Sequence, residues 1–214
     1  MQRTANAILA AALALASGGV LAQAAPERGW YAGIGAGRSQ LDFAGNFAQV
    51  FGATASTTSQ DDSDSGFKVY GGFRFGRHFA LEGGYSDFGS FSSRRVVTAP
   101  TAGTATTDVK SRGTHFDVVG IVPLGQRFEL FGKVGLIRTT TTTRTTSTGS
   151  VVAFGLGQER DVHISPRIGA GAEFLLTPQL ALRLEYEDQN LEFRFFNESK
   201  SVQLLSLGLK LRFP

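Results

Sequence analysis

Charged residues recur at alternate positions inside segments whose other side chains are apolar or small. Glu173 comes just before a turn at Thr177-Pro178-Gln179, and Arg183 and Glu185 follow that turn two residues apart. Residues at positions i and i+2 of a strand lie on the same face. Charges on an enclosed face must pair, because an unpaired charge is costly to bury. The first chemistry to consider is therefore ion pairing inside the fold.

His163 and Ser165 form a second candidate site, since they also share a strand face. This His-x-Ser pair resembles that of the outer-membrane lipid A deacylases (PagL type), in which a nearby carboxylate completes a serine esterase triad. Such a site must meet lipid, whereas Ser165 shares its face with Arg167 and Glu173, which we place inside. The pattern therefore favours a protein that is not an enzyme.

Two further motifs could bind a ligand. The segment 33–37, GIGAG, lacks the third glycine of a GxGxxG loop and is not followed by a helix. Asp61, Asp62 and Asp64 could hold a cation, but the nearby glycine is at the wrong place for an EF-hand. A solvated loop is the simpler interpretation, and we predict no cofactor and no metal.

The stretch 164–186 is the element that must position the charges. Bulky apolar side chains alternate with charged or small ones on both sides of Pro178, and this period of two favours an antiparallel hairpin. The charged face also carries Gly169 and Gly171, so it is short of room, while the apolar face has no such limit. A narrow barrel with charges inside and lipid outside explains the difference.

The same alternation predicts eight strands in the whole chain. The other six strands are expected at 29–43, 66–75, 79–91, 114–122, 128–139 and 202–213. Polar loops are expected at 46–65 and 92–113, while the Thr-rich tract 139–150 either extends the strands or is disordered. Alternating short and long connections are typical of an outer-membrane barrel with short periplasmic turns and long outer loops.

Composition and the N-terminus predict the compartment. The chain has 214 residues and no cysteine, which favours one domain. Arg3, an Ala-rich apolar run and Ala22-Gln23-Ala24 indicate a cleavable signal peptide over 1–24, followed by a barrel domain over 25–214. The basic residues are scattered rather than clustered, so we predict no nucleic-acid partner.

Four segments carry a resemblance to a known family. ISPRIGAGAEFLLTPQLALRLEYEDQN together with LLSLGLKLRF resembles the last three strands of the OmpA-type eight-stranded outer-membrane barrels, and GWYAGIGAGRS and FALEGGYSDFG resemble the first and third. The resemblance implies an all-β, eight-stranded antiparallel up-and-down transmembrane barrel, integral to the bacterial outer membrane. It covers nearly the whole mature chain.

The resemblance also assigns functional residues. The positions that match the family's lumen charges form a predicted salt-bridged plug or gate: Glu82, Lys133, Glu173, Arg183 and Glu185. The family's basic residue on the fourth strand is replaced by an apolar one near Val119, and Arg167 is an additional base that compensates. Phe213 resembles the terminal aromatic signal read by the barrel-assembly machinery, although Pro214 follows it.

The function predicted from these features is an integral outer-membrane barrel that stabilises the envelope and displays loops, with at most a narrow gated pore. Its expected partners are outer-membrane lipid and lipopolysaccharide, periplasmic chaperones and the assembly machinery, and we expect a monomer. The sequence stops at the last strand, so the cell-wall-binding domain of full-length relatives is expected to be absent. Alternatives are a surface adhesin or resistance factor acting through its loops, and a PagL-like lipid A hydrolase.

Overall fold

The computed structural model describes residues 28–41, 54–61, 63–99, 102–149, 157–193 and 198–213. The predicted signal peptide and Pro214 lie outside these residues. The strands of the described part are β1 (Gly29–Leu41), β2 (Ala55–Asp61), β3 (Ser63–Arg74), β4 (Phe79–Ala99), β5 (Gly103–Leu124), β6 (Phe128–Gly149), β7 (Gly157–Leu175), β8 (Leu180–Phe193) and β9 (Glu198–Arg212). No helix among the described residues is both long and apolar enough to cross a membrane.

Eight of the strands close into a ring of antiparallel neighbours. The order is β4-β3-β1-β9-β8-β7-β6-β5, and β5 pairs again with β4. The first and last strands meet, with Tyr31 opposite Arg212 and Leu41 opposite Val202. Each strand of the ring therefore has two paired neighbours, as a membrane-spanning strand needs for its backbone hydrogen bonds. The predicted eight-stranded antiparallel up-and-down barrel is confirmed.

β2 continues the line of β3 beyond the ring. Both strands pair with β4, since Phe67 of β3 lies opposite Asp87 and Asp61 of β2 lies opposite Ser92. The prediction of a loop over 46–65 is therefore wrong for Ala55–Asp61 and for residues 63–65. The Ser and Thr residues of this segment pair across strands. Polar composition alone does not distinguish such a paired strand from a solvated loop.

The predicted loop over 92–113 is also wrong. β4 continues to Ala99 and β5 starts at Gly103, so residues 92–99 and 103–113 form the outer part of a long hairpin. The two alternatives for the Thr-rich tract are resolved in favour of strand, because β6 continues to Gly149 and pairs residue by residue with β5. β-Branched residues favour this extended, paired conformation.

Apolar side chains cover the outside of the ring. Ile164 and Ile168 are each 61 % exposed, as expected for the apolar face of the 164–186 hairpin. The same face of the barrel carries Ile34, Phe116, Val134 and Leu207 on other strands. Trp30 lies at the end with the short turns and packs edge-to-face on Phe73, with ring centroids 4.9 Å apart. This is the position of an interfacial aromatic residue.

The interior is narrow and filled. A Cβ atom built on Gly169 would lie 3.0 Å from Lys133 Cε, and one built on Gly171 would lie 2.8 Å from Phe131 Cε1. The glycines of the charged face therefore leave the space that large inward side chains of the neighbouring strand occupy. This is the shortage of room that the sequence pattern indicates, and it is typical of an eight-stranded barrel.

Candidate functional site in the barrel lumen

The lumen contains a large set of buried ionisable side chains. Among the described residues, seven basic and six acidic side chains are buried, apart from one histidine. The basic ones are Lys68, Arg74, Lys133, Arg167, Arg183, Lys210 and Arg212, and the acidic ones are Glu82, Asp117, Glu129, Glu173, Glu185 and Glu187. The counts nearly balance, as pairing of buried charges requires.

Glu82 of β4 lies at the centre of this set and is 1 % exposed. Arg183 of β8 donates to both of its carboxylate oxygens, with Nη1–Oε2 and Nη2–Oε1 distances of 2.7 and 3.2 Å. Tyr31 Oη donates to Oε2 at 3.2 Å, and Lys133 Nζ donates to Oε1 at 3.4 Å. One carboxylate thus accepts hydrogen bonds from β1, β6 and β8, and fixes three strands across the tube.

Arg183 is held by both charge and shape. Its Nε and Nη2 donate to Glu185 at 3.0 and 3.1 Å, and its Nη1 lies 3.5 Å from Glu173. The guanidinium carbon lies 4.5 Å from the ring centroid of Tyr70 and 4.1 Å from that of Phe131. A planar guanidinium between aromatic rings gains cation–π attraction in addition to its ion pairs.

A second group of contacts surrounds Lys133. Its Nζ pairs with Glu185 and Glu187, and it lies 3.5 Å from Asp117 Oδ2. Lys68 of β3 also pairs with Glu185, and lies 3.3 Å from Glu187. Sequence reasoning did not include Lys68 or Glu187 in the network. The available signal was the alternation of each strand: Glu187 shares a face with Arg183 and Glu185 on β8, and Lys68 falls on the charged face of β3.

The short-turn end of the lumen holds another group of pairs. Glu173 accepts from Lys210 Nζ at 2.8 Å and from Arg212 Nη2 at 2.7 Å. Glu129 accepts from Arg212 Nη2 at 2.7 Å and from Arg74 Nη1 at 3.0 Å. Arg212 therefore joins two carboxylates. Lys210, Arg212, Glu129 and Arg74 are further members of the network that the sequence-based set omitted.

Arg167 extends the network toward the long hairpins. It pairs with Glu187, and its Nε lies 3.5 Å from Asp117 Oδ1. Val119 is buried in the lumen two residues from Asp117, where the family resemblance implied a base. The structure thus brings all six predicted charges, Glu82, Lys133, Arg167, Glu173, Arg183 and Glu185, into one continuous set of ion pairs.

One trio in the lumen has the composition of a metal site. Single ligand atoms of Glu82, His115 and Asp117 lie within 4.8 Å of one another. However, Asp117 lies 3.5 Å from both Lys133 and Arg167, and Glu82 is already held by Arg183. These three cations lie beside the same carboxylates, and they would repel a metal ion. We therefore assign the trio to the ion-pair network.

A cluster of apolar side chains, the apolar cap, lies in the lumen beyond the charges. The apolar cap consists of Phe88, Phe91, Val109, Ile137, Val202 and Leu204, all buried and in contact. Gly113 and Gly66 make room for it, since a Cβ at either position would lie within 2.8 Å of the Ile137 or Leu204 side chain. The cap lies on the long-hairpin side of Arg167, because Ile137 is two residues beyond Gly135, which pairs with Arg167.

The His163–Ser165 pair does not reach the lipid face. Ser165 is 3 % exposed and pairs with Ile137 of the apolar cap, so its hydroxyl points into the barrel. His163 is two residues before Ser165 on β7 and therefore lies on the same face, whereas Val162 and Ile164 point outward. A lipid A hydrolase needs its nucleophile at the membrane surface, so this geometry favours the prediction that the pair is not catalytic.

Phe213 lies just after β9 at the short-turn end. Its side chain is 43 % exposed, and its backbone N–H donates to Trp30 O at 2.8 Å. This hydrogen bond continues the β1–β9 seam to the end of the described chain.

A closed antiparallel ring with apolar residues outside and paired charges inside defines a transmembrane β-barrel of the outer-membrane type. The family model for the OmpA-like transmembrane domain matches residues 25–213. The chain belongs to this family and is an integral outer-membrane protein.

Known proteins agree with this assignment. The chain is 29 % identical over 192 residues to outer membrane protein P5 of Haemophilus influenzae, covering 87 % of this chain and 51 % of that protein. It is 28 % identical over 217 residues to outer membrane protein A of Salmonella typhi, covering 100 % of this chain and 56 % of the relative. The chain thus spans about half the length of these curated relatives.

A solved structure shows the same fold. The outer membrane protein OprG from Pseudomonas aeruginosa superposes with a TM-score of 0.51 at 14 % identity, covering 88 % of this chain and 99 % of that chain.

Proposed function

We propose that this chain is a non-enzymatic structural barrel whose lumen is closed and whose long hairpins are displayed outside the cell. The supporting observation is the state of the buried charges. Each of the six buried acidic residues lies within 3.5 Å of a basic nitrogen. With the apolar cap beyond them, the charges act as a static plug rather than a gate.

Single-channel recording of the refolded protein tests the plug. We expect the wild type and Glu82→Ala to show conductance near zero, because the apolar cap closes the tube without Glu82. Phe91→Ala should also stay closed, since the charged layers remain. The double variant Glu82→Ala/Phe91→Ala should conduct, and Glu159→Ala, at an exposed position, is the matched control. A charge-dependent current from the wild type would show that the lumen is a gate.

The display of hairpins is supported by their length. β5 continues from Thr114 to Gly103 beyond its apolar outer face, which at about 3.3 Å per residue is ~36 Å of strand. Outer-membrane barrels carry their longer connections outside the cell. A protease site inserted after Ala102 should be cut on intact cells, while the same site inserted after Gly125 should be protected. The reverse pattern would invert the orientation.

Assembly is the remaining part of the proposal. Residues 1–24 are proposed to be the signal peptide that directs export, and periplasmic chaperones and the barrel-assembly machinery to receive the chain, with Phe213 as the recognised terminal aromatic. Phe213→Ala should lower the outer-membrane yield, whereas Phe116→Ala, at an outward position that is 59 % exposed, should not. Each strand of the ring has two paired neighbours within the chain, which supports a monomer.

A further inference from the structure

The outer surface of the barrel carries a basic patch that the lumen network does not include. The basic patch consists of Lys110 and Arg112 of β5, Arg138 of β6 and Arg160 of β7. Together with Tyr85, Thr114, Thr140 and Thr142 these residues line a recess of about 500 Å³. All four basic side chains are exposed and lie on the outward face.

The patch lies directly at the boundary of the lipid-facing surface. On β6 the outward residues Val134 and Leu136 are followed by Arg138, and on β7 Ile164 and Val162 are followed by Arg160. On β5, Phe116 is followed by Thr114 and then Arg112. On three adjacent strands, the first charged outward residue beyond the apolar band is thus basic.

This arrangement is local rather than a ring of charge. On the strands that flank the three, β4 and β8, the first charged outward residues are Asp87 and Asp188. Asp87 Oδ2 lies 3.4 Å from Arg112 Nε, so one acidic residue offsets part of the patch. Among the described residues, Lys110, Arg138 and Arg160 form no ion pair. The recess therefore presents a net positive charge with free donors.

Position and chemistry together identify the ligand class. A ligand that contacts both the patch and the apolar residues beneath it needs an anionic headgroup at the hydrocarbon boundary. Arginine and lysine clusters suit phosphoryl oxygens, which arginine binds through paired N–H donors. Lys110 and Arg160 both stand opposite Thr142, so they lie two strands apart, which is about 10 Å. That span exceeds one phosphoryl group and fits a headgroup that carries two.

We propose that the basic patch binds a multiply phosphorylated glycolipid headgroup of the outer leaflet. Lys110, Arg138 and Arg160 would contact the phosphoryl oxygens, while Tyr85 packs at the boundary as an interfacial aromatic residue. The inference rests on the proposed orientation, in which the long hairpins lie outside the cell. It deepens the expected association with outer-membrane lipid by assigning it to named residues on one side of the barrel.

The test measures binding of diphosphoryl lipid A to the refolded barrel in neutral detergent micelles. Arg138→Gln/Arg160→Gln should weaken binding about tenfold, because each variant side chain removes one charge-assisted contact. Arg38→Gln/Arg77→Gln removes the same charge elsewhere: Arg38 is exposed on β1, across the ring, and Arg77 lies in a short turn. This control should bind like the wild type. Heat-dependent gel mobility verifies that every variant is folded.

Lipid A without phosphoryl groups and phosphatidylglycerol are the comparison ligands. The affinity of the wild type for each of these two ligands should be no higher than the affinity of Arg138→Gln/Arg160→Gln for diphosphoryl lipid A. Equal binding by patch and control variants would overturn the proposal, and so would equal affinity for phosphatidylglycerol. If Arg138→Gln/Arg160→Gln does not fold, Lys110→Gln/Arg160→Gln replaces it. A wrong orientation would instead appear in the protease-site experiment, which does not depend on lipid binding.

Discussion

The charged layers and the apolar cap fill the same tube but are held together by different physics. In the charged layers, the single side chain of Arg183 contacts three carboxylates, those of Glu82, Glu173 and Glu185, through directed ion pairs. In the cap, Phe91 and its neighbours contact one another through apolar surface alone. The first region depends on the identity of each partner, since a lost partner leaves a buried charge. The second depends on volume, since dispersion and burial are not directional.

The contrast also concerns tolerance to change. A charged network must keep its donors and acceptors matched, because a partly satisfied network is worse than an apolar interior. A packed apolar cluster accepts replacements of similar volume at a small cost. The two regions therefore predict different responses to equally large truncations, and a comparison of their variants shows which of them carries more of the stability.

The largest effect is expected for Arg183→Ala. The variant leaves Glu82 without the partner that binds both of its oxygens, and removes one of three basic partners of Glu185. We expect a loss of about 3–5 kcal/mol in the free energy of unfolding. Urea unfolding of the barrel in lipid vesicles, followed by fluorescence of Trp30, the single tryptophan, measures the loss. Arg77→Ala in an exposed turn should leave the midpoint unchanged. A midpoint shift as small as that of this control would mean that water replaces the missing partner.

A somewhat smaller effect is expected for Phe91→Ala in the apolar cap. The ring is 0 % exposed, and its removal leaves a cavity, with an expected loss of about 3 kcal/mol. Phe91→Leu nearly keeps the volume and should cost about 1 kcal/mol. The ratio of the stability lost by Phe91→Ala to that lost by Phe91→Leu shows whether the ring acts by filling volume or through a polar contact. If both variants were equally destabilised, the cap would depend on more than volume.

The smallest effect is expected for Asp87→Asn, which weakens an ion pair outside the lumen. Arg112 is half exposed and lies 3.4 Å from Asp87, so solvent screens the pair and we expect a loss under about 1 kcal/mol. The side-chain oxygen that accepts from Gly89 N at 2.9 Å is retained by asparagine. The same urea titration at low and high salt measures it. A loss as large as that of Arg183→Ala would remove the distinction between buried and exposed pairs.

Alternation in the sequence was enough to predict much of the site. In 164–186, the period of two placed Ile164 and Ile168 outside and Arg183 and Glu185 on the opposite face, as the structure has them. The inward glycines gave the further information that the charged face is crowded. Local pattern carries this information because each strand has only two faces, and membrane lipid accepts only the apolar one.

Polar composition misled the prediction at the outer ends of the strands. Residues 92–113 have the Ser, Thr and Gly content of a loop, yet 92–99 and 103–113 form the paired ends of β4 and β5. Outside the lipid band the outward face is solvated and the buried inward face carries small or polar side chains such as Ala105, Thr107 and Ser111, so the apolar–polar contrast that marks a membrane strand disappears. Only cross-strand pairing, seen between Val97 and Gly103, defines these residues as strand.

The sequence by itself determined the type of fold, the two faces of each strand and the presence of charges inside, because these depend on local periodicity and on the solvent at each face. The tertiary structure decided which charges meet, since Glu82 and Arg183 lie 101 residues apart and are joined only by ring closure. It also decided the cap. Simple alternation from Leu81 would place Phe91 on the outward face, but the irregularity between Asp87 and Ser90 turns its side chain inward. A β-bulge changes parity without a mark in the periodic pattern, so the structure alone shows that Phe91 lies in the lumen.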